Sequence, residues 1–427
     1  MNPIKILQFG TGNFLRCFID WMVQKMNDNA DFAGSVRIIQ SLGSELSPLS
    51  RTINAQSGAY HTCLRGVIDG KEVEIIEKNT AVRDVVCAAT DWRAIEETAL
   101  LDSLRFVVSN TTEAGIEYRP YKDTFPYKAA RLLKARFDAG KPGLVFIPCE
   151  LIENNGEELK RCILNYAFDM RSVEFIDWIH DECVFCNTLV DRIVSGRPDP
   201  ESAARYTAQL GERDDALVCG EPFHLFVIQT PTVGEVPFDL EAEFPLARAG
   251  VNVVYAPDIA PYRTRKVRFL NGAHTATVLQ GILDGFEEVA QLVADPKYNA
   301  HFRKILFDEV FPTVDLPDDE KRTYAESVLE RFANPFAHHK LLSIALNSVS
   351  KWKVRVLPTV LDYKRKFGQL PPALWGSLDS LIRFYRERPD LVKDSPEVVA
   401  FFKTNPTREQ ILANTNFWGM DLTAIQR

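Results

Sequence analysis

Short apolar runs punctuate the first part of the chain, whereas in the second part apolar residues recur at three- and four-residue spacing. The runs at 4–9, 36–42, 104–109 and 144–148 predict strands. Helical periodicity follows the first run as far as Asn27 and returns at 127–137 and 156–168. Strands therefore alternate with helices, the order of an α/β, Rossmann-like doubly wound sheet. The segment 60–77, with Asp69-Gly70 at its middle, reads instead as a β-hairpin inserted in that order, covering a sheet edge. Further strands are expected at 184–194, 223–229 and 251–255. Beyond Phe269 the pattern turns helical, with amphipathic stretches at 275–283, 325–332, 340–349 and 373–385. The expectation is two domains, 1–256 and 257–427, the second mostly α-helical, with the joint near Ala256-Pro257.

Composition changes this picture little. The chain has 427 residues, 46% of them hydrophobic and 25% charged, which suits two soluble cores and excludes a low-complexity or disordered protein. A net charge of -8 argues against nucleic acid and anionic membranes as partners and leaves small molecules. No run is long enough to cross a bilayer and the first residues lack a signal-peptide core, so a cytoplasmic setting is expected. Eight cysteines lack framework spacing and read as small buried hydrophobes. Cys183-x-x-Cys186 has no second pair, and His338-His339 has no metal-spaced partners, so no metal site is expected.

Two motifs carry chemistry. After the first strand comes Gly10-Thr11-Gly12-Asn13-Phe14-Leu15, in which the third glycine of a dinucleotide fingerprint is replaced by leucine. Its position, ending a strand and opening a helix, still favours a pyrophosphate at the helix mouth over a merely structural turn. The missing glycine implies looser helix packing or a different approach of the cofactor. Gln40-Ser41 stands where an acidic residue usually holds the ribose. No arginine follows to welcome a 2′-phosphate, and Glu45 is near, so NAD is the expected cofactor rather than NADP. Asn110 and Glu113, just past a strand end, are placed to assist, although turn-forming polar residues are common there too.

The second motif is Lys266-Val-Arg-Phe-Leu-Asn271-Gly-Ala-His274. Positions three apart share a helix face, so Asn271 and His274 converge while Lys266 reaches the same spot from the helix mouth. Such a trio can move a proton to or from a sugar oxygen. The alternative is a buried helix whose polar side chains are merely hydrogen-bonded. Arg263, Arg265 and Arg268 crowd the lysine and weigh against that alternative.

The stretches Leu7-Gln-Phe-Gly-Thr-Gly-Asn-Phe-Leu-Arg16, Ser109-Asn-Thr-Thr-Glu-Ala-Gly-Ile116, Pro148-Cys-Glu-Leu-Ile152, Thr188-Leu-Val-Asp-Arg-Ile193, Arg265 to Thr275 and Arg331-Phe-Ala-Asn-Pro335 resemble the polyol-specific long-chain dehydrogenases, the mannitol dehydrogenase family. The likeness runs to about Pro358 and returns at Trp418 to Thr423. Relative to that family the chain stops early, so a final helix is expected to be absent. The resemblance implies an NAD-dependent, metal-independent enzyme in which Lys266 is general acid and base. It further implies that Asn271 polarises the carbonyl oxygen, His274 orients substrate, and Asp191 and Arg331 contact its hydroxyls or carboxylate. For the oxidative direction the lysine must lose its proton near neutral pH, well below its reference value of ~10.4; burial and nearby arginines push that way.

Two departures from the mannitol-type pattern bear on the substrate. Phe14-Leu-Arg-Cys17 replaces Phe-His-Arg-Ala, and Arg263 and Leu151 replace an acidic residue and an asparagine. Both changes point to a uronate and aldonate pair, with Arg263 and Arg331 as carboxylate partners. Against this, Arg263 reads equally as a solvated charge, and Asp191 as a partner of Arg192 or a turn cap. Asn187 and Glu150 are expected only near the site. Another family member's sugar, or a nucleotide-binding regulator without turnover, remain as alternative readings.

Overall fold

The computed structural model describes residues 2–111, 114–120 and 123–426. It divides into two compact units: one comprises the chain up to Arg65 and Val73–Ile259, the other Gly66–Glu72 and the chain from Ala260 onward.

The first unit is built on a six-stranded sheet. Its strands are β1 (Ile4–Phe9), β2 (Ser35–Gln40), β5 (Val82–Cys87), β6 (Phe106–Ser109), β7 (Val145–Pro148) and β8 (Val184–Phe185), with the hairpin strands β3 (Tyr60–Ile68) and β4 (Lys71–Asn79) lying between β2 and β5 in sequence. Every pairing in the sheet is parallel. Across it the order is β5-β2-β1-β6-β7-β8, so counted in chain order the strands run 3-2-1-4-5-6 and the direction of winding reverses between β1 and β6. Both faces are covered: Ile6, Phe106, Val108 and Val145 join one apolar cluster, while Leu7, Phe9, Val107 and Phe146 join the other. That explains why these strands read as continuous apolar runs without alternation.

Several expectations are corrected. The predicted strand 184–194 is two pieces, β8 in the main sheet and β9 (Thr188–Asp191), which pairs antiparallel with Leu225–Gln229 in a separate three-stranded sheet. β5 was not expected. It follows the hairpin after two residues and its mixed burial gives no clean apolar run. The hairpin itself turns through Asp69 and Gly70, both with positive φ, and β3 pairs on its other side with β10 (Val218–Gly220) in a sheet of its own. All eight cysteines are free and buried, and burial pushes the Cys183 and Cys186 thiols up to about 12.

The second unit is mostly helical. The helices Ala273–Leu283, Asp318–Phe332 and Pro372–Glu387 contain the predicted stretches. The expected helix 340–349 is broken, because Asn347 adopts left-handed backbone (φ 53°) and separates Leu341–Ile344 from Ser348–Arg355. Among the described residues no helix is long and apolar enough to cross a membrane.

Candidate active site

In the first unit the glycine turn leaves β1 at the point where the sheet reverses direction. Gly10 has φ 130°, its N–H donates to Ile39 O (3.2 Å), and a Cβ there would stand 3.0 Å from the carbonyl oxygen of Asn110. Only glycine holds this turn without strain. At Gly12 a Cβ would meet nothing within 4 Å, so the absent side chain leaves open space over the start of the helix Asn13–Cys17, whose first turn has no side-chain cap. Thr11 is half-buried; Gly12 and Asn13 are exposed. Such a cradle, at the switch point of a doubly wound sheet, fits a dinucleotide pyrophosphate. Leu15, at the third-glycine position, is buried in the apolar cluster, and the helix ends at Cys17 with a break at Phe18 before Ile19–Asn29 begins. The leucine therefore goes with a short first helix rather than one long helix laid close on the sheet.

Several side chains near these strand ends are engaged by the protein itself, while the Ser41 hydroxyl is buried without a partner among the described residues. Asn13 accepts from Arg16 (2.7 Å), and Phe14 stacks on Phe18. Asn110 donates to Cys149 O (2.7 Å). Glu150, buried, accepts from Ser109 Oγ (3.0 Å), Thr111 N–H (2.9 Å) and Thr111 Oγ1 (3.0 Å); burial raises its carboxyl above the usual range. Glu150 thus locks the loop after β6 to the end of β7. Gln40 fixes the loop after β2, donating to the carbonyls of Leu42 and Glu45 and accepting from Ser47 N–H. Asn187 accepts from the N–H groups of Gly156 and Glu157 and so caps a helix start. Asp191, buried, ends β9 in this unit, not on the element that carries Lys266. It is not held by Arg192, whose guanidinium donates to the carbonyls of Cys17, Pro222 and Phe223 and lies 4.2 Å from the Trp21 ring centre. Glu113 lies outside the described residues.

In the second unit Lys266 does not sit at a helix mouth. The helix Ala260–Arg265, carrying Arg263, leads directly into a π-helical turn, Lys266–Gly272, and then into the helix Ala273–Leu283. In α-helical geometry a residue five positions on points well away, but in the wider i→i+5 turn it lies above the first, so the backbone itself aligns Lys266 with Asn271. Both are half-buried. His274, in the first turn of the following helix, is buried; its ring stacks on Phe332 (centroids 3.9 Å, planes 16°) and meets His339 edge-on at 5.0 Å. Its Nε2 is buried and has no hydrogen-bond partner among the described residues. Burial first, then His339 and the positive charges of Arg331 and Arg355, hold the imidazole well below its usual value and therefore neutral.

The arginines near the lysine separate into different roles. Arg265 lies against the rings of Tyr262 and Tyr324 and faces Glu320 (3.5 Å), while Arg268 pairs with Asp362 (2.5 Å) and donates to Thr313 O (2.8 Å). Both carry counter-ions, which weakens the crowding expected of them. Arg331 is buried at the end of Asp318–Phe332, within electrostatic range of His274. His339 and Arg355 were not foreseen. Both lie beyond the motif in segments whose apolar pattern gives no sign that they approach His274. Among the described residues no cluster of His, Cys, Asp and Glu has the form of a metal site.

A 3-2-1-4-5-6 parallel sheet with a glycine cradle at its switch point, followed by a helical unit with lysine, asparagine and histidine on one run, defines an oxidoreductase of the dehydrogenase type. Residues 4–241 match the mannitol dehydrogenase Rossmann domain and residues 258–424 the mannitol dehydrogenase C-terminal domain. The chain belongs to the mannitol dehydrogenase family. It is 41% identical to an altronate oxidoreductase of Bacillus subtilis, over 100% of this chain and 90% of that one. It is 37% identical to an altronate oxidoreductase of Yersinia enterocolitica, over 99% and 92%. Among solved structures it is similar to a substrate-free D-sorbitol dehydrogenase (TM-score 0.78, 25% identity, covering 90% of this chain and 81% of that one). The Pseudomonas fluorescens mannitol 2-dehydrogenase complex with NAD and D-mannitol shares the fold (TM-score 0.74, 19% identity, 100% and 89%).

Proposed function

We propose that the chain is an NAD-dependent reductase that interconverts D-tagaturonate and D-altronate in the cytoplasmic catabolism of hexuronates. The π-helical turn that aligns Lys266 with Asn271 carries the reading of the reaction. The substrate follows from the altronate oxidoreductases that match nearly the whole chain.

Lys266, as the ammonium, gives its proton to the carbonyl oxygen and, as the amine, takes it back from the hydroxyl in the reverse direction. Asn271 donates a hydrogen bond to that oxygen and stabilises the charge that develops on it. His274, held neutral and fixed by Phe332 and His339, offers its free Nε2 to orient a substrate hydroxyl. Asp191, Arg263 and Arg331 contact the remaining hydroxyls and the carboxylate. The turn from Gly10, Thr11 and Gly12 to Asn13 and Phe14, with Asn110 and Glu113, holds the nicotinamide cofactor, which when bound supplies the hydride. Cationic surroundings at His274 suit an acidic sugar better than a neutral polyol.

The test is NADH oxidation followed by absorbance with tagaturonate, fructuronate and fructose side by side. Turnover selective for tagaturonate is expected. Selectivity for fructuronate or fructose would replace the substrate and keep the mechanism; NADH binding without turnover of any of them would leave a regulator.

A further inference from the structure

Resting on that reading, the structure points to one more residue. We propose that Arg355 is a further specificity-determining residue of the site, joining Arg263 and Arg331 at the substrate carboxylate and so selecting a sugar acid over the corresponding neutral sugar.

Three observations carry this. The first is place. Arg355 ends the helix Ser348–Arg355, and its carbonyl oxygen lies against the reaction turn: a Cβ built on Gly272, between Asn271 and His274, would stand 2.9 Å from it. The second is the state of the side chain. The Arg355 guanidinium is half-buried, yet among the described residues it makes no hydrogen bond, ion pair or ring contact. Arg265 and Arg268, on the same helical run as Lys266, have Glu320 and Asp362. A partly desolvated guanidinium without a counter-ion costs stability and gives none back, which is the condition expected of a group kept for a ligand. The third is its neighbours. The charge of Arg355 reaches both His274 and Lys351, and Lys351 gives its ammonium to Ile344 O (2.9 Å). Among the described residues, the charged side chains that act most on His274 are Arg331 and Arg355. A planar guanidinium with free N–H groups matches a carboxylate through two parallel hydrogen bonds, which a sugar hydroxymethyl group cannot reciprocate.

The experiment pairs Arg355→Gln and Arg355→Lys with wild type. Each is assayed for tagaturonate reduction, and each, saturated with NADH so that nothing turns over, is titrated calorimetrically with D-altronate and with its neutral alditol. For Arg355→Gln, kcat/KM for the uronate is expected to fall about 100-fold, mainly through KM, with altronate affinity falling in parallel and alditol affinity changing by less than about threefold. Arg355→Lys, which keeps charge but loses the fork, should recover part of the loss. Equal losses for altronate and alditol, or no loss for either, would overturn the assignment and leave the proposed reaction standing. A wild-type enzyme that turns over no uronate would instead overturn the proposed function itself. Should Arg355→Gln melt below assay temperature, Arg355→Lys decides alone: a loss confined to the acid supports the assignment, and an unchanged ratio of acid to alditol affinity removes it.

Discussion

The polar side chains around the glycine turn of the first unit differ in their engagement from those around His274 in the second. Around the strand ends of the first, Gln40, Asn110, Glu150, Asn187 and Arg192 each close on protein partners. Open there are the backbone and the space at Gly12, and, among the described residues, the buried hydroxyl of Ser41 just past β2. In the second unit, among the described residues, His274 keeps a buried nitrogen without a partner and Arg355 a guanidinium without a counter-ion. At its glycine turn the first unit offers main chain, as suits the proposed phosphate-bearing cofactor. Around His274 the second offers side chains, as suits the proposed sugar acid, whose identity rests on where its hydroxyls and charge stand.

The largest effect that sharpens this contrast is expected at Lys266. Lys266→Ala should lower kcat about a thousandfold while the melting temperature and NADH affinity stay near wild type. If the variant kept more than a tenth of the wild-type rate, proton transfer would have to be assigned elsewhere. Main-chain recognition is tested at Gly12, where a Cβ meets no protein atom. Gly12→Ala should leave the melting temperature unchanged and raise KM for NADH about tenfold, since the methyl enters space reserved for the cofactor. An unaltered KM would mean that the cofactor does not approach this turn.

Gly272→Ala attacks the second unit from its backbone. A methyl there meets the Arg355 carbonyl at 2.9 Å, so the reaction turn and the helix Ser348–Arg355 must move apart. The expected cost is about 1–3 kcal/mol, read as a lowered melting temperature, with a weakened KM for the uronate alongside. Full stability and full activity would show that the two elements slip past each other freely.

The smallest effect is electrostatic. The folded protein holds His274 below its ordinary value, so under acid conditions the unfolded chain binds a proton that the folded one refuses. Stability from this source is therefore complete above about pH 6.5 and is lost as pH falls below it, by up to about 1.4 kcal/mol per pH unit. His274→Gln removes the proton site. The difference in unfolding free energy between wild type and variant should be flat above pH 6.5 and shift against the wild type from pH 6.5 to 5. Parallel curves throughout would mean that the imidazole is not held neutral.

Much of the first unit was legible because its strands are buried on both faces and stand out as apolar runs between glycines and helical periods. β5 escaped because an edge strand that follows a hairpin after two residues lacks both the apolar run and the flanking signal. The helix 340–349 was misread because the pattern stays apolar through Asn347, and only the backbone at that residue breaks it. At the candidate site, Lys266, Asn271 and His274 stood out in the sequence by type and spacing, and a common face was inferred from the spacing of Asn271 and His274. The π turn that aligns Lys266 with Asn271 was not, since one wider turn leaves no mark on hydrophobic periodicity. Arg355 and His339 depend on tertiary packing and have no local sign at all.

The distribution of thiols has a use of its own. Every cysteine of the chain lies between Cys17 and Cys219, within the first unit, and all are buried. An alkylating reagent at neutral pH therefore reports openings of that unit and is silent about the helical one. Mass-resolved labelling, set beside the fluorescence of Trp352, Trp375 and Trp418 with the tryptophans of the first unit replaced, would time the opening of each half of the molecule separately and show whether bound cofactor slows one clock or both.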